Sequence, residues 1–369
     1  FTFARGSEAT YVDAQGLIKS TNELGPELIT NGDFSNGSTP WALNSNWSIG
    51  GVGAIADGTS NGTIWQAGVL EDNKTYKVTY TITDLLQGTL RANASGSLGA
   101  IRTSDGTYTE TITAGTSPTT RITFQGTGGF KVTLSNVSVK EHITATNTPR
   151  LDYSTGAEAF LLEPQSTNLI TQSETFSDAY WSKTLMTATD NSAISPSGNV
   201  NASLIQEEIY TNSIPNIKNN SSITGLNGNN TLSFYVKNNS GRYLGVSFGS
   251  SAQRIRTNFD FDTETFKTPI FNGTTTGSVS FDKLGDYYRI LITANFPISI
   301  NAEIFITPLA TDTYPFYAFQ NSDNRSFYLW GAQIEQQSYA TSYIPTEGST
   351  VTRNQETCIN ATPEINSEE

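Results

Sequence analysis

The sequence predicts an all-β protein built from two β-sandwich domains, and three observations carry that expectation. Period-two alternation recurs. In Tyr76-Lys-Val-Thr-Tyr-Thr-Ile-Thr83, Tyr76, Val78, Tyr80 and Ile82 fall on one face and Lys77, Thr79, Thr81 and Thr83 on the other, the mark of a half-buried strand. Charged residues are only 15% of the chain, against about a quarter in ordinary domains. Gly, Asn, Ser and Thr take their place, which favours strands and tight turns over helix surfaces. Turn clusters such as Asn61-Gly62, Asp105-Gly106 and Gly126-Thr-Gly-Gly129 separate the alternating runs. With 369 residues there is room for two domains.

Taken in order, 76–83, 107–113, 120–125 and 130–139 are strands of a first sandwich, placed at about 26–142. A second strand-rich region runs from about 160 to 345. Its clearest runs are 231–237, 244–248, 287–293, 302–306 and 327–332. One helix candidate, a turn or two, lies at 177–181. The acidic end, 361–369, reads as a mobile tail.

The two regions look like distant copies of one jelly-roll-sized plan. Leu28-Ile-Thr-Asn-Gly-Asp-Phe34, followed by Trp41, parallels Leu169-Ile-Thr-Gln-Ser-Glu-Thr-Phe176, followed by Trp181. Val132-Thr-Leu-Ser-Asn-Val-Ser-Val139 parallels Ser326-Phe-Tyr-Leu-Trp-Gly-Ala-Gln-Ile-Glu335. Each pair brackets its domain with an expected opening strand and an expected closing strand.

The net charge of −13 argues against nucleic acid and against docking on anionic lipid. One His (His142) and one Cys (Cys358) exclude an intrachain disulfide framework and a His/Cys zinc site. Cys358 reads as a free thiol. No apolar run is long enough for a membrane-spanning helix, and no signal peptide is visible. The opening at Phe1 suggests a processed product or numbering that starts inside a longer protein. No nucleophile elbow, P-loop, HExxH or dinucleotide fingerprint occurs. A glycosidase needs two suitably spaced carboxylates, and 34 acidic residues make that count uninformative. His142 reads as a linker residue, and the chain as non-enzymatic.

Several phrases carry a resemblance. Phe1-Thr-Phe-Ala-Arg-Gly-Ser-Glu-Ala-Thr-Tyr-Val-Asp-Ala-Gln-Gly-Leu-Ile18, Pro149-Arg-Leu-Asp-Tyr153 and Leu161-Leu-Glu-Pro-Gln-Ser-Thr-Asn-Leu-Ile170 are three of them. Tyr287-Tyr-Arg-Ile290, Leu329-Trp-Gly-Ala-Gln-Ile-Glu335, Ala340-Thr-Ser-Tyr-Ile-Pro-Thr346 and Thr352-Arg-Asn354 are the others. Together they resemble phage tail-fibre and head-fibre structural proteins, over nearly the whole chain. The first sandwich is similar to carbohydrate-binding modules of the jelly-roll type. In simpler relatives the first phrase leads almost directly into the second. The resemblance therefore implies two jelly-roll β-sandwich domains, the first inserted into the second. Residues 1–25 would belong with 143–360, and 26–142 would be the guest. Contacts between 1–18 and 150–162 are expected.

The same resemblance implies a non-enzymatic virion or fibre protein, or a prophage product, on the particle surface. Its partners would be host-surface glycans, other virion proteins and further copies of itself, trimers included, without nucleic acid or membrane insertion. Sugars stack C–H faces on aromatic rings and bond through amides and charged groups. Candidate glycan contacts are Trp41, Trp47, Trp65 and Gln66 in the first sandwich, and Arg242, Tyr243, Tyr317 and Phe319 in the second. The strong alternative for each aromatic is a place in the core or in a subunit interface, since a β-sandwich core also uses Trp and Tyr. Modules of the resembled type hold a structural Ca²⁺ between opening and closing strands. Asp33 and Asn136 match those positions in the first sandwich and Glu174 in the second, although relatives often carry Asp at the position of Asn136. The alternative is that Asp33 caps a turn. An architectural role, with the sandwich faces binding neighbouring subunits, and a depolymerase role are the other readings.

Overall fold

Every regular element in the computed structural model is a β-strand. It describes residues 2–44, 46–51, 53–143, 145–209, 213–312 and 324–359, and no helix occurs among them. The helix expected at 177–181 is a pair of turns instead. Asp178 takes the Tyr180 amide on its side chain (2.7 Å) and the Trp181 amide on its carbonyl (3.0 Å), the local competition that disfavours helix after Asp. Tyr317 and Phe319 lie outside the described residues, as does the 361–369 tail.

The chain divides into two compact units, Asn22–Thr144 and the combination of Phe1–Thr21 with Ala145–Glu369. The smaller unit is a β-sandwich organised by two long antiparallel strands, Thr75–Ala94 and Ile122–Ile143. Tyr76, Val78, Tyr80 and Ile82 are buried, and the intervening Lys and Thr residues face outward. That outward face is a hydroxyl ladder: Thr75–Thr113, Thr79–Thr109 and Thr81–Thr107 pair across strands at 2.9–3.0 Å. The ladder is the structural counterpart of the low charge content.

The Gly126–Gly129 cluster, expected as a hairpin turn, is a bulge inside the Ile122–Ile143 strand. Register shifts between Thr127 and Lys131 while both flanks keep pairing with Thr75–Ala94. Gly126 is obligatory there, because a Cβ would lie 2.2 Å from the Phe130 ring.

The larger unit packs two sheets over one core. One sheet has the order Met186–Ile194, Val200–Glu207, Ser326–Glu335, Ile223–Ser240, Tyr287–Leu309, Thr276–Leu284. The other contains Trp181–Thr184, Asn216–Asn219, Tyr243–Gly249 and Arg254–Asp260. The runs expected as separate strands at 287–293 and 302–306 are a single strand, Tyr287–Leu309. Its first half pairs in the first sheet and its second half in the other. Leu232, Phe234 and Val236 point into the core between the sheets. Their alternates, Ser233 and Tyr235, are also buried, because the terminal segments roof the sheet's outer face. Val12, Ile18 and Tyr343 join Tyr235, Tyr287 and Trp330 in a second, smaller core there.

Both units carry the same latch between their bracketing segments. The segments expected as opening strands, 28–34 and 169–176, are irregular. They dock on the closing strand by matched single bonds. Leu28 N donates to Val139 O and Leu169 N to Ile334 O, both at 2.9 Å. Val137 N donates to Gly32 O (2.8 Å) and Ala332 N to Ser173 O (2.9 Å). Glu27 Oε1 accepts from Ile29 N and Val139 N (3.0 and 2.9 Å), and Asn168 Oδ1 accepts from Ile170 N and Ile334 N (3.1 and 3.2 Å). Trp41 Nε1 donates to Asn31 O and Trp181 Nε1 to Gln172 O, each at 2.9 Å. Each indole packs on a Phe ring, Phe34 or Phe176, at 5.1 and 4.9 Å. The closing strand turns through a left-handed residue at Asn136 (φ 50°) and Gly331 (φ 65°).

That equivalence predicts a specific asymmetry. Asn136→Gly should change stability by no more than about 0.5 kcal/mol, since Gly accepts positive φ freely. Gly331→Ala should cost about 1–2 kcal/mol, because the backbone is left-handed and the new Cβ meets the Tyr235 ring at 3.0 Å. Urea unfolding followed by tryptophan fluorescence measures both.

Candidate functional site

One recess of the larger unit opens on the outer face of its first sheet, where the terminal segments roof it. It holds about 210 Å³. Tyr235 and Tyr343 form its floor with Val12, Ile18 and Leu284, and Arg289, Asp152, Glu163 and Asp282 bring charge to it. The volume is below the ~300 Å³ at which sites for drug-sized ligands begin, so it suits one small ring or a chain end.

A buried charge network supports the rim. Arg5 and Arg150 both reach Glu356 Oε1, at 2.7 and 2.8 Å. Arg150 Nη2 and Arg353 Nη1 each contact Glu163 Oε2 at 2.8 Å. Arg353 also donates to Thr341 Oγ1 and Ser342 Oγ (3.1 and 2.9 Å). Thr341 in turn donates its amide to Glu335 Oε2 (2.9 Å). Arg5, Arg150, Arg353, Glu335 and Glu356 are buried. Arg5 Nη2 bonds Thr21 Oγ1 and Ala145 O (3.1 and 3.2 Å), so one guanidinium holds both points where the chain leaves and re-enters this unit. The N-terminal segment meets the 150–162 segment as well, with Val12 N donating to Asp152 Oδ1 at 2.7 Å.

These bonds consume the carboxylates beside the recess. Glu163 accepts from two guanidiniums and from Ser342 N and Oγ. Burial pushes its carboxyl up, but the charges of Arg353 and Arg150 outweigh burial and hold it below its ordinary value. Asp152 accepts from Val12 N and from Ser154 N and Oγ. Glu163, held ionised by its two guanidiniums, is unsuited to donate a proton.

None of the sequence-expected site residues that are described lines this recess. Trp41 and Trp47, expected in ligand-facing loops, are core side chains at 4% and 6% exposure. The latch bond and Phe34 fix Trp41, and Phe130 packs on Trp47 at 5.3 Å. Gln66 is also buried, exchanging hydrogen bonds with both backbone groups of Thr30 (3.1 and 2.9 Å). Trp65 is half-buried under Arg121, whose guanidinium lies 5.3 Å from the ring. Arg242 is exposed, forks onto Asp260 at 2.8–3.1 Å and lies 5.0 Å from the Tyr243 ring. Its charge is thus already satisfied.

Two of the three expected metal ligands, Asp33 and Glu174, bond within the protein. Asp33 Oδ1 accepts from Ser35 N and Oγ (3.1 and 3.0 Å), the turn-capping arrangement. Glu174 accepts from Asn201 Nδ2 (2.8 Å) and the Tyr343 hydroxyl (2.9 Å), one on each carboxylate oxygen. Asn136 is exposed and supplies the left-handed latch position. Among the described residues no group of three or more His, Cys, Asp or Glu side chains is placed to hold a metal. His142 sits 3.3 Å from Asn22 Nδ2, joining the two ends of the smaller unit. Cys358 is a free thiol opposite Phe3 in a two-stranded ribbon.

The residues that sequence reasoning missed, Tyr235, Arg289 and Tyr343, lie in strands or phrases whose convergence only the fold reveals. The signal was present in part: Arg5, Arg150, Asp152, Glu163, Arg289, Glu335, Tyr343 and Arg353 all come from the phrases that carried the resemblance.

No family model and no curated protein matches the chain. Among solved structures, a tandem CBM22 domain of Xyn10C from Paenibacillus barcinonensis is 10% identical. It matches 86% of this chain and 99% of its own at a TM-score of 0.27. An anti-sigma factor domain-containing protein is 10% identical over 85% and 100%, with a TM-score of 0.18. A Lactobacillus farciminis oxalate decarboxylase is 9% identical over 85% and 87%, with a TM-score of 0.12. Overlaps this loose carry no argument about what the chain does.

Two measurements test the network. Glu356→Gln leaves Arg5 and Arg150 without their shared counter-charge and should cost about 3 kcal/mol or more, read by urea unfolding. Glu163 has a native pKa below its ordinary 4.5. The stability it contributes is therefore complete above about pH 4.5 and is lost as pH falls through the native value. Glu163→Gln should be less stable at pH 7 and should flatten the fall in melting temperature between pH 5 and pH 3.

Proposed function

We propose that this chain is a non-enzymatic adhesive component of a phage particle, or of a prophage-encoded one, that binds a host-surface glycan through the recess of its larger unit. The observation that carries the reading is the recess itself: an apolar, tyrosine-floored hollow of one-ring size with polar groups at its rim. A sugar ring needs that mixture, a surface for its C–H face and fixed partners for its hydroxyls. The ionised, doubly paired state of Glu163 supports binding over hydrolysis, because glycoside cleavage needs one carboxylic acid able to donate a proton. The phage assignment rests on the phrases quoted from the sequence.

An architectural role is the second reading, and one observation favours it. Leu151, Phe160 and Leu162, on and beside the Arg150–Asp152 and Ala159–Leu161 ribbon, are 45%, 40% and 48% exposed. An apolar strip of that kind suits a neighbouring subunit.

Polysaccharide from candidate hosts, titrated against the full chain by calorimetry, should bind without release of reducing ends. Leu284→Trp fills the recess and should weaken binding at least about tenfold, while Arg242→Ala should leave it unchanged. Binding indifferent to Leu284→Trp would move the site away from the recess. Absence of binding across a glycan array, together with self-association abolished by Phe160→Ser, would favour the architectural reading.

A further inference from the structure

Of the eight described arginines of the larger unit, Arg5, Arg150, Arg242, Arg254, Arg325 and Arg353 each pair with a carboxylate within 4 Å, and Arg256 bonds the Asn272 side chain instead (3.0 Å). Arg289, which lines the recess, forms no such pair among the described residues. Its Nη2 donates to Ser233 Oγ (3.2 Å) and Thr341 O (2.7 Å), and its guanidinium lies 5.4 Å from the Tyr235 ring. Its Nε is buried without a partner. Among the described residues nothing bonds its Nη1, which is not fully buried.

Among the described residues no acid forms an ion pair with this guanidinium. Asp282 stands directly across the strand pair from Arg289, yet makes no ion pair with it. Asp152 and Glu163 are committed elsewhere. The other cation at the rim, Lys283, is paired with Glu264 at 2.6 Å. In a chain of net charge −13, this recess thus presents a guanidinium that is held in place by neutral partners.

We propose that the recess selects a sugar ring bearing a carboxylate, a hexuronate unit of an acidic polysaccharide, with the carboxylate on Arg289 and the ring against Tyr235 and Leu284. This rests on the glycan reading above and specifies its ligand. Guanidinium matches carboxylate in shape and charge. One negative charge balances one guanidinium, whereas a phosphate dianion would place surplus charge beside Asp152, Glu163 and Asp282.

The test uses the full chain and a pair of probes that differ at one carbon, methyl glucuronide and methyl glucoside, titrated by NMR. The glucuronide should bind at least about tenfold more tightly. Arg289→Gln should abolish that preference, Arg289→Lys should keep part of it, and Asp282→Asn, which removes the facing acid, should tighten glucuronide binding about two- to threefold. Should Arg289→Gln fail to fold, the direction of the Asp282→Asn effect decides. Equal binding of the two probes overturns the carboxylate proposal and leaves the glycan reading standing. Failure of both probes, together with host polysaccharide, overturns both. Tighter binding of glycerol phosphate than of glucuronide overturns the carboxylate assignment.

Discussion

Three guanidiniums and three carboxylates withdrawn from water hold the larger unit closed. Arg5 comes from the first segment of the chain, Arg150 and Glu163 from its middle, and Glu335, Arg353 and Glu356 from its last part. Burying an isolated charge costs several kcal/mol even after relaxation. Here the signs balance, and hydroxyls and amides of Thr341, Ser342 and Glu163 take the remaining lone pairs. The network is therefore a constraint as much as a source of stability. It forms only when all three stretches are in place, so it specifies where the termini lie. With the termini held, the outer face of the first sheet is roofed, Tyr235 is buried, and a recess remains at the seam.

The paired latches give the two units a common construction. A side-chain acceptor stands just before the Leu-Ile-Thr segment, as Glu27 in one and Asn168 in the other. The same backbone groups are bonded, the same indole nitrogen reaches the same carbonyl, and the closing strand turns at the same point. The units diverge in what covers them. Only the larger one has terminal segments laid over a sheet, and the recess is a product of that extra layer. The aromatic residues common to the two plans, Trp41 and Trp181, are buried and consumed by the latch.

Much of the fold was legible. Alternation in 76–83 named the buried face residue by residue, and the closing runs near 132–139 and 326–335 were placed correctly. Local reasoning failed where a neighbour decided the outcome. Gly126–Gly129 reads as a turn, yet both flanks pair with one partner strand, so the extra residues are absorbed as a bulge. The runs 287–293 and 302–306 read as two strands, yet one strand passes between sheets. Leu28–Phe34 has a strand's composition and no ladder, because the latch uses its backbone one bond at a time.

The sequence by itself determined the all-β class, the alternation of faces, the hydroxyl-rich exterior and the internal likeness of two regions. Those properties depend on residues a few positions apart. Tertiary structure alone decided that Trp41, Trp47 and Gln66 are core, that Arg242 is satisfied by Asp260, and that Arg289 is not satisfied by Asp282. Whether a charge or a ring is spent inside the protein or left for a ligand depends on partners tens to hundreds of residues away, and only the closed chain brings those partners to within hydrogen-bonding distance.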